Sequence, residues 1–131
     1  MSELVRRFVT EVWNADREQT AYEIVDPTCP GLNGTGPEAT LAWHRDRRTS
    51  FPDLRYEIVD LVDGGDTCAV RWRATGTHRG QFGPVPATDR TVTYNGASFI
   101  RVAGGRIVDI WSVNELFQLL QQLGVRVDPP G

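Results

Sequence analysis

The sequence predicts an α+β domain. Apolar residues recur at helical spacing up to about Thr49, alternate with polar ones from Leu54 to Ser112, and return to helical spacing in a last segment that grows directly out of the final strand.

Leu4, Val5, Phe8, Val9, Val12 and Trp13 form the stripe of a first helix, with Ser2 as its N-cap and Glu3 in its first turn. Trp13 is either part of the core under that helix or part of the wall of a ligand cavity. A shorter helix is expected from Asp16 to Val25, closed by Asp26-Pro27, and the Pro- and Gly-rich run DPTCPGLNGTGP makes Asp26 to Pro37 a loop. Pro37 then opens a third helix at the position where its missing N–H costs nothing, and that helix stops before Phe51-Pro52. Trp43 and Arg47, four apart, share a face of it, with His44 one step round; Arg45, Asp46, Arg47 and Arg48 read as a solvated flank from which one arginine turns inward.

Strands follow. Leu54, Tyr56 and Ile58 alternate with Arg55, Glu57 and Val59, and Asp63-Gly64-Gly65-Asp66 turns the chain into a strand from Thr67 to His78. In that strand Val70, Trp72, Ala74, Gly76 and His78 share one face, and Arg71, Arg73, Thr75 and Thr77 the other. The Gly/Pro-containing loop RGQFGPVPATD, a candidate lid, precedes a strand from Thr91 to Val102 and another from Arg106 to Ser112. In the last strand the two-residue period puts Ile107, Asp109 and Trp111 on one face. The pattern fits one domain over residues 1–131, with 126–131 frayed. With helices enough for one sheet face only, the other face is expected to meet a second subunit in a homodimer or higher homo-oligomer.

Composition narrows the function. The net charge of −3 and pI near 5.3 argue against a nucleic-acid partner, which needs a basic surface. No apolar run is long enough for a membrane span and no signal-peptide core stands at the start, so a cytoplasmic location is expected. All 14 basic residues are arginine, which excludes a lysine Schiff base and lysine-anchored pyridoxal phosphate. Cys29 and Cys68 lie in unlike contexts and are expected as reduced thiols. With only His44 and His78, and no close carboxylate spacing, a metal site is not expected; neither a GxSxG elbow nor a phosphate loop is present.

The segments SFPDLRYEIVDLV, GDTCAVRWRATGTHRG, the loop ending ATDR, ASFIRVAGGRIVDIW and LLQQLG resemble, in order and spacing, the SnoaL-like polyketide cyclase family of the NTF2-like fold, over roughly residues 30–124. The resemblance implies a cone, in which a curved antiparallel sheet and N-terminal helices enclose a deep pocket for a hydrophobic small molecule, without metal or organic cofactor. In the family's cyclases an aspartate four residues after the Trp acts as acid/base in an intramolecular aldol closure. Glu115 stands at that place here, while Ile110 and Val25 occupy places where the family often has histidine.

Ring closure of this kind needs a base beside a carbonyl and donors for the enolate oxygen. Glu115, at the change from strand to helix, is expected to face the apolar pocket and to have its pKa raised by desolvation, which would make it the base of a cyclase or isomerase. His78 is a candidate donor, although a turn histidine also serves to bond its own loop. Asp109 is a candidate second carboxylate, or else the partner of Arg101. Trp13, Trp43, His44, Arg47, Trp72, Tyr94 and Trp111 are the candidate substrate-binding residues. Two alternatives stand beside the cyclase reading: a binding, resistance or accessory protein without catalysis, and an epoxide-opening enzyme holding water between Asp109 and Glu115.

Overall fold

The computed structural model describes residues 2–126 and 128–129, so the frayed end expected for 126–131 falls partly outside the described residues. Helix α1 (Ser2–Arg7) runs on as a π-helical segment, Phe8–Asn14. Then come α2 (Glu18–Ile24) and a two-residue-per-strand hairpin, β1 (Pro30–Gly31) and β2 (Gly34–Thr35), in the loop expected at Asp26 to Pro37. Helix α3 (Pro37–Ser50) starts at Pro37 as expected. The main sheet is an antiparallel meander in the order β3 (Arg55–Asp63), β4 (Thr67–Thr77), β5 (Thr91–Ala103), β6 (Arg106–Asn114), and α4 (Leu116–Gln122) follows β6 after one residue. Among the described residues no helix is long and apolar enough to cross a membrane.

Alternation decides which sheet face is covered. Cys68, Val70, Trp72, Ala74 and Gly76 of β4, and Val92, Tyr94, Ser98, Ile100 and Val102 of β5, are buried beneath Val5, Phe8 and Val12 of the first helix, Ala21 and Ile24 of α2, and Leu41 of α3. The opposite face stays open. Both cysteines are buried, free thiols.

Two irregularities bend the sheet. The β3–β4 register steps from Ile58 to Asp60 and the β5–β6 register from Ile107 to Asp109, leaving Val59 and Val108 as extra residues. Such bulges bend and twist a strand and shift the phase of everything beyond them. In β6 the shift is decisive. Ile107 points into the core, but beyond Val108 it is Ile110, Ser112 and Asn114 that turn to the covered side, while Asp109 and Trp111 lie opposite Arg101 and Phe99 on the open side. The shared face expected for Ile107, Asp109 and Trp111 is therefore broken.

Trp72 locks the middle of the sheet. Its indole Nε1–H donates to the buried Ser98 Oγ at 3.0 Å, and Ser98 and Ser112 share a hydroxyl bond of 2.6 Å between β5 and β6. The ring lies directly on Gly96, where an added Cβ would come within 2.2 Å of Cζ2. Glycine is required there by space. Gly96→Ala is expected to lower stability by about 1–3 kcal/mol, the usual range for overpacking, in chemical denaturation; an unchanged midpoint would show that the indole moves aside freely.

Candidate active site

Between α3, the π-helical segment and the inner sheet face lies a hollow of about 310 Å³. Its wall is aromatic: Phe8, Trp13, Tyr56, Trp72 and Tyr94. The π-helical segment carries Trp13 against Tyr56 at 4.8 Å between ring centroids and edge-on to Trp72 at 6.2 Å, and Trp72 meets Tyr94 edge-on at 5.9 Å. Edge-to-face rings hold one another in place, so the wall is stiff. Leu32 and the half-exposed Trp43 also line the hollow, and β6 adds Ile110, Ser112 and Asn114.

The polar end belongs to α3. Thr40, His44, Asp46 and Arg47 all reach the hollow from this helix. His44 is buried and its Nε2 lies 2.6 Å from Asp16 Oδ1. Asp16 sits just past the π-helical segment with φ 57°, a left-handed conformation that Asp tolerates better than most residues, and this end of the helix brings its carboxylate to α3. A carboxylate on one ring nitrogen fixes the orientation and the tautomer of an imidazole.

The four-residue charged run on α3 divides its labour. Arg45 turns outward to Glu18 and Glu38 at 2.7 and 2.9 Å, and Arg48 donates to the carbonyls of Trp13, Asn14 and Pro52. Arg47 turns inward, its guanidinium 5.2 Å above the centre of the Phe82 ring. Its buried Nη1 has no hydrogen-bond partner among the described residues, and the buried Thr40 Oγ1 and Tyr94 hydroxyl make no close hydrogen bond, with only the Cys29 thiol and the Tyr56 hydroxyl near them. Burial pushes the phenols of Tyr56 and Tyr94 upward, and the positive charge of Arg47 offsets part of this in both.

Of the residues expected from the sequence, Trp13, Trp43, His44, Arg47, Trp72 and Tyr94 come together around the hollow. Trp111 does not: it is 57% exposed on the open sheet face, packed on Phe99 at 5.7 Å. Glu115 is also displaced from its expected position. It follows Asn114 at the N-terminal end of α4, where its Oε1 accepts from the backbone N–H and the side-chain Nδ2 of Asn95 at 2.9 and 2.7 Å. These donors hold its carboxyl below the ordinary glutamate value, opposite to the expected rise. It is not on the wall of the hollow.

His78 is sealed inside its own turn, with Nδ1 on the hydroxyl and backbone N–H of Thr88 at 3.0 and 3.2 Å and its ring against Phe51. It anchors the loop before β5 and stands apart from the hollow. Asp109 pairs in register with Arg101, and Glu115 stands six positions further along the chain, roughly 20 Å at ~3.3 Å per residue. They cannot share one water. Asp16, Thr40, Tyr56, Ser112 and Asn114 were not among the expected site residues. For Tyr56 the signal existed in the alternation Leu54-Tyr56-Ile58; for Ser112 and Asn114 the bulge hid it.

The family model for SnoaL-like polyketide cyclases matches residues 3–123. The chain belongs to the SnoaL-like polyketide cyclase family. Its solved structural relatives include wild-type IdmH of Streptomyces antibioticus, a candidate polyketide cyclase, 30% identical over 95% of this chain and 98% of that one with a TM-score of 0.79. A candidate SnoaL-like polyketide cyclase from Jannaschia sp. CCS1 is 22% identical over 98% and 92% of the two chains, with a TM-score of 0.84. AclR of Streptomyces galilaeus, a candidate hydroxylase, is 24% identical over 94% of each, with a TM-score of 0.80. No curated protein sequence matches significantly. The helices and curved antiparallel sheet of this SnoaL-like chain are those of the NTF2-like fold.

Because the folded Glu115 carboxyl titrates below its ordinary value of 4.5, its bonds to Asn95 stabilise the fold fully above that pH and are lost as pH falls through the lower, folded value. Glu115→Gln is expected to be less stable than the native chain at pH 7, with the difference closing as pH falls below 4.5, in denaturation midpoints measured from pH 7 to 3. A difference constant with pH would remove the carboxylate from the account.

Proposed function

We propose that this SnoaL-like protein is an acid/base enzyme of small-molecule metabolism, a cyclase or isomerase acting on a hydrophobic, polyketide-like carbonyl compound. The observation that carries the reading is the His44–Asp16 pair, which opens on an aromatic hollow beside the unpartnered Nη1 of Arg47. The base role expected of Glu115 passes to His44, since Glu115 is bound to Asn95 away from the hollow.

Proton transfer next to a carbonyl needs a base and an enolate-binding group, and no electron carrier. In the proposed sequence the ring nitrogen of His44 not held by Asp16 removes the proton. The enolate oxygen accepts from the side-chain N–H of Asn114, which lines the hollow from β6. The enolate carbon then either attacks a second carbonyl of the same molecule, whose oxygen takes the proton back from the His44 imidazolium to give the aldol ring, or is itself reprotonated at another carbon by that imidazolium. Asp16 keeps the ring oriented throughout. The rings of Trp13 and Trp72 fit a flat apolar substrate and keep its two reacting ends together.

A binding role without turnover is the second reading. It is favoured by β6, which turns Ile110, Ser112 and Asn114 to the hollow and no titratable side chain. Opening of an epoxide by water held between Asp109 and Glu115 is dropped on distance.

We further propose that the open sheet face forms a homodimer. Phe99, Trp111 and Val113 are 46, 57 and 48% exposed side by side on neighbouring strands, an apolar patch that water leaves uncovered at a cost.

On a substrate found by screening β-polyketone and related carbonyl compounds, His44→Gln is expected to lower kcat by roughly 100-fold or more, and Asp16→Asn by less, while Glu115→Gln stays near the native rate. Loss of turnover in Glu115→Gln with His44→Gln unaffected would return the base to Glu115; binding of all compounds without change in any would favour the second reading. Trp111→Glu is expected to sediment as a monomer where the native chain sediments as a dimer.

A further inference from the structure

The polar atoms of the hollow point to the charge of what it binds. Buried donors and acceptors are almost always partnered, and each one left alone loses the free energy of its hydration. Here three such atoms, Arg47 Nη1, Thr40 Oγ1 and the Tyr94 hydroxyl, belong to residues that line one hollow; none makes a close hydrogen bond among the described residues, Thr40 and Tyr94 having only the Cys29 thiol and the Tyr56 hydroxyl nearby and Arg47 Nη1 no acceptor. Tyr94 is only 1% exposed and Thr40 7%.

Arg47 differs from its neighbours in the same way. Among the described residues Arg45 is neutralised by Glu18 and Glu38, whereas Arg47 makes no ion pair. The acids nearest the hollow do not supply one: Asp16 is engaged by His44, and the exposed Asp46, though it lines the hollow, makes no ion pair with Arg47. Phe82 holds the guanidinium from one side, which fixes its plane without offering an acceptor. A guanidinium held over Phe82, with a buried free N–H and the Tyr94 hydroxyl within reach of its charge, is the arrangement that recognises a pair of acid oxygens.

Resting on the small-molecule reading above, we infer that the ligand of this hollow carries a free carboxylate, seated on Arg47 and Tyr94 with its apolar body against Trp13 and Trp72, so that the protein selects an acid over its ester or thioester. One consequence concerns reaction order. A reaction that cleaves an ester or thioester, or otherwise unmasks the acid, must act on the molecule before this protein does.

The probes are 2-naphthoic acid and methyl 2-naphthoate, titrated at pH 7.5 into the purified full chain, with binding read by calorimetry and by quenching of tryptophan fluorescence. The acid is expected to bind at least ~10-fold more tightly than the ester, as a charge-assisted hydrogen bond allows. Arg47→Gln is expected to abolish that preference, and Tyr94→Phe to reduce it, in proteins whose circular dichroism and melting show an intact fold. Arg47→Lys, which keeps the charge but not the fork of N–H groups, is expected to retain part of it. Equal binding of acid and ester, binding of neither, or a preference that survives in Arg47→Gln overturns the inference. The catalytic reading fails separately: an acid preference that depends on Arg47, in a protein that changes no compound, leaves this inference standing and removes the enzyme.

Discussion

One extra residue, Val108, governs how this molecule presents its last strand. The register of β6 against β5 would carry Asp109, Trp111, Val113 and Glu115 to the covered face if alternation from Ile107 continued unbroken. The bulge reverses that phase, so the covered face receives Ile110, Ser112 and Asn114 and the open face receives Trp111 and Val113. Most of the site's character follows. The hollow loses a carboxylate and gains small polar groups, one of which, Ser112, ties β6 to the Ser98 that holds Trp72. The phase that removes Glu115 from the hollow also sets it against Asn95, where it joins the start of α4 to β5.

With β6 contributing no ionisable side chain, α3 supplies the histidine and arginine of the site. Three of its arginines stand within four residues and meet three different surroundings. Arg45 belongs to exposed ion pairs, each worth about 0–1 kcal/mol. Arg48 satisfies the terminal carbonyls of the π-helical segment, groups that a helix end leaves without partners. By holding that end against α3 it supports the turn in which Asp16 meets His44. Arg47 alone of the three reaches the hollow. The same helix thus closes the fold on one side and supplies its chemistry on another.

The aromatic wall supplies rigidity in turn. Trp72 is fixed by a hydrogen bond at its indole nitrogen and by the flat backbone of Gly96 beneath it, and Trp13, Tyr56 and Tyr94 pack against its edges. Side chains constrained on this many sides keep the cavity's shape when it is empty, so binding need not supply the free energy of forming it.

The sequence by itself determined the order of elements, the antiparallel meander, the covered face of β4 and the membership of the family, because those rest on periods of 3.6 and 2.0 and on turn residues that act over a few positions. It also supplied six of the residues that meet at the hollow as candidates, Trp13, Trp43, His44, Arg47, Trp72 and Tyr94, since helix and strand periods limit which residues can share a face. Only the tertiary structure decided the facing of β6, because a bulge depends on how two strands pair and leaves no mark in the period of either. It alone paired Asp16 with His44, 28 residues apart, and left Arg47 inward while Arg45 and Arg48 found partners. Local spacing fixes where a side chain leaves the backbone; what it meets is set by the packing of elements distant in the chain.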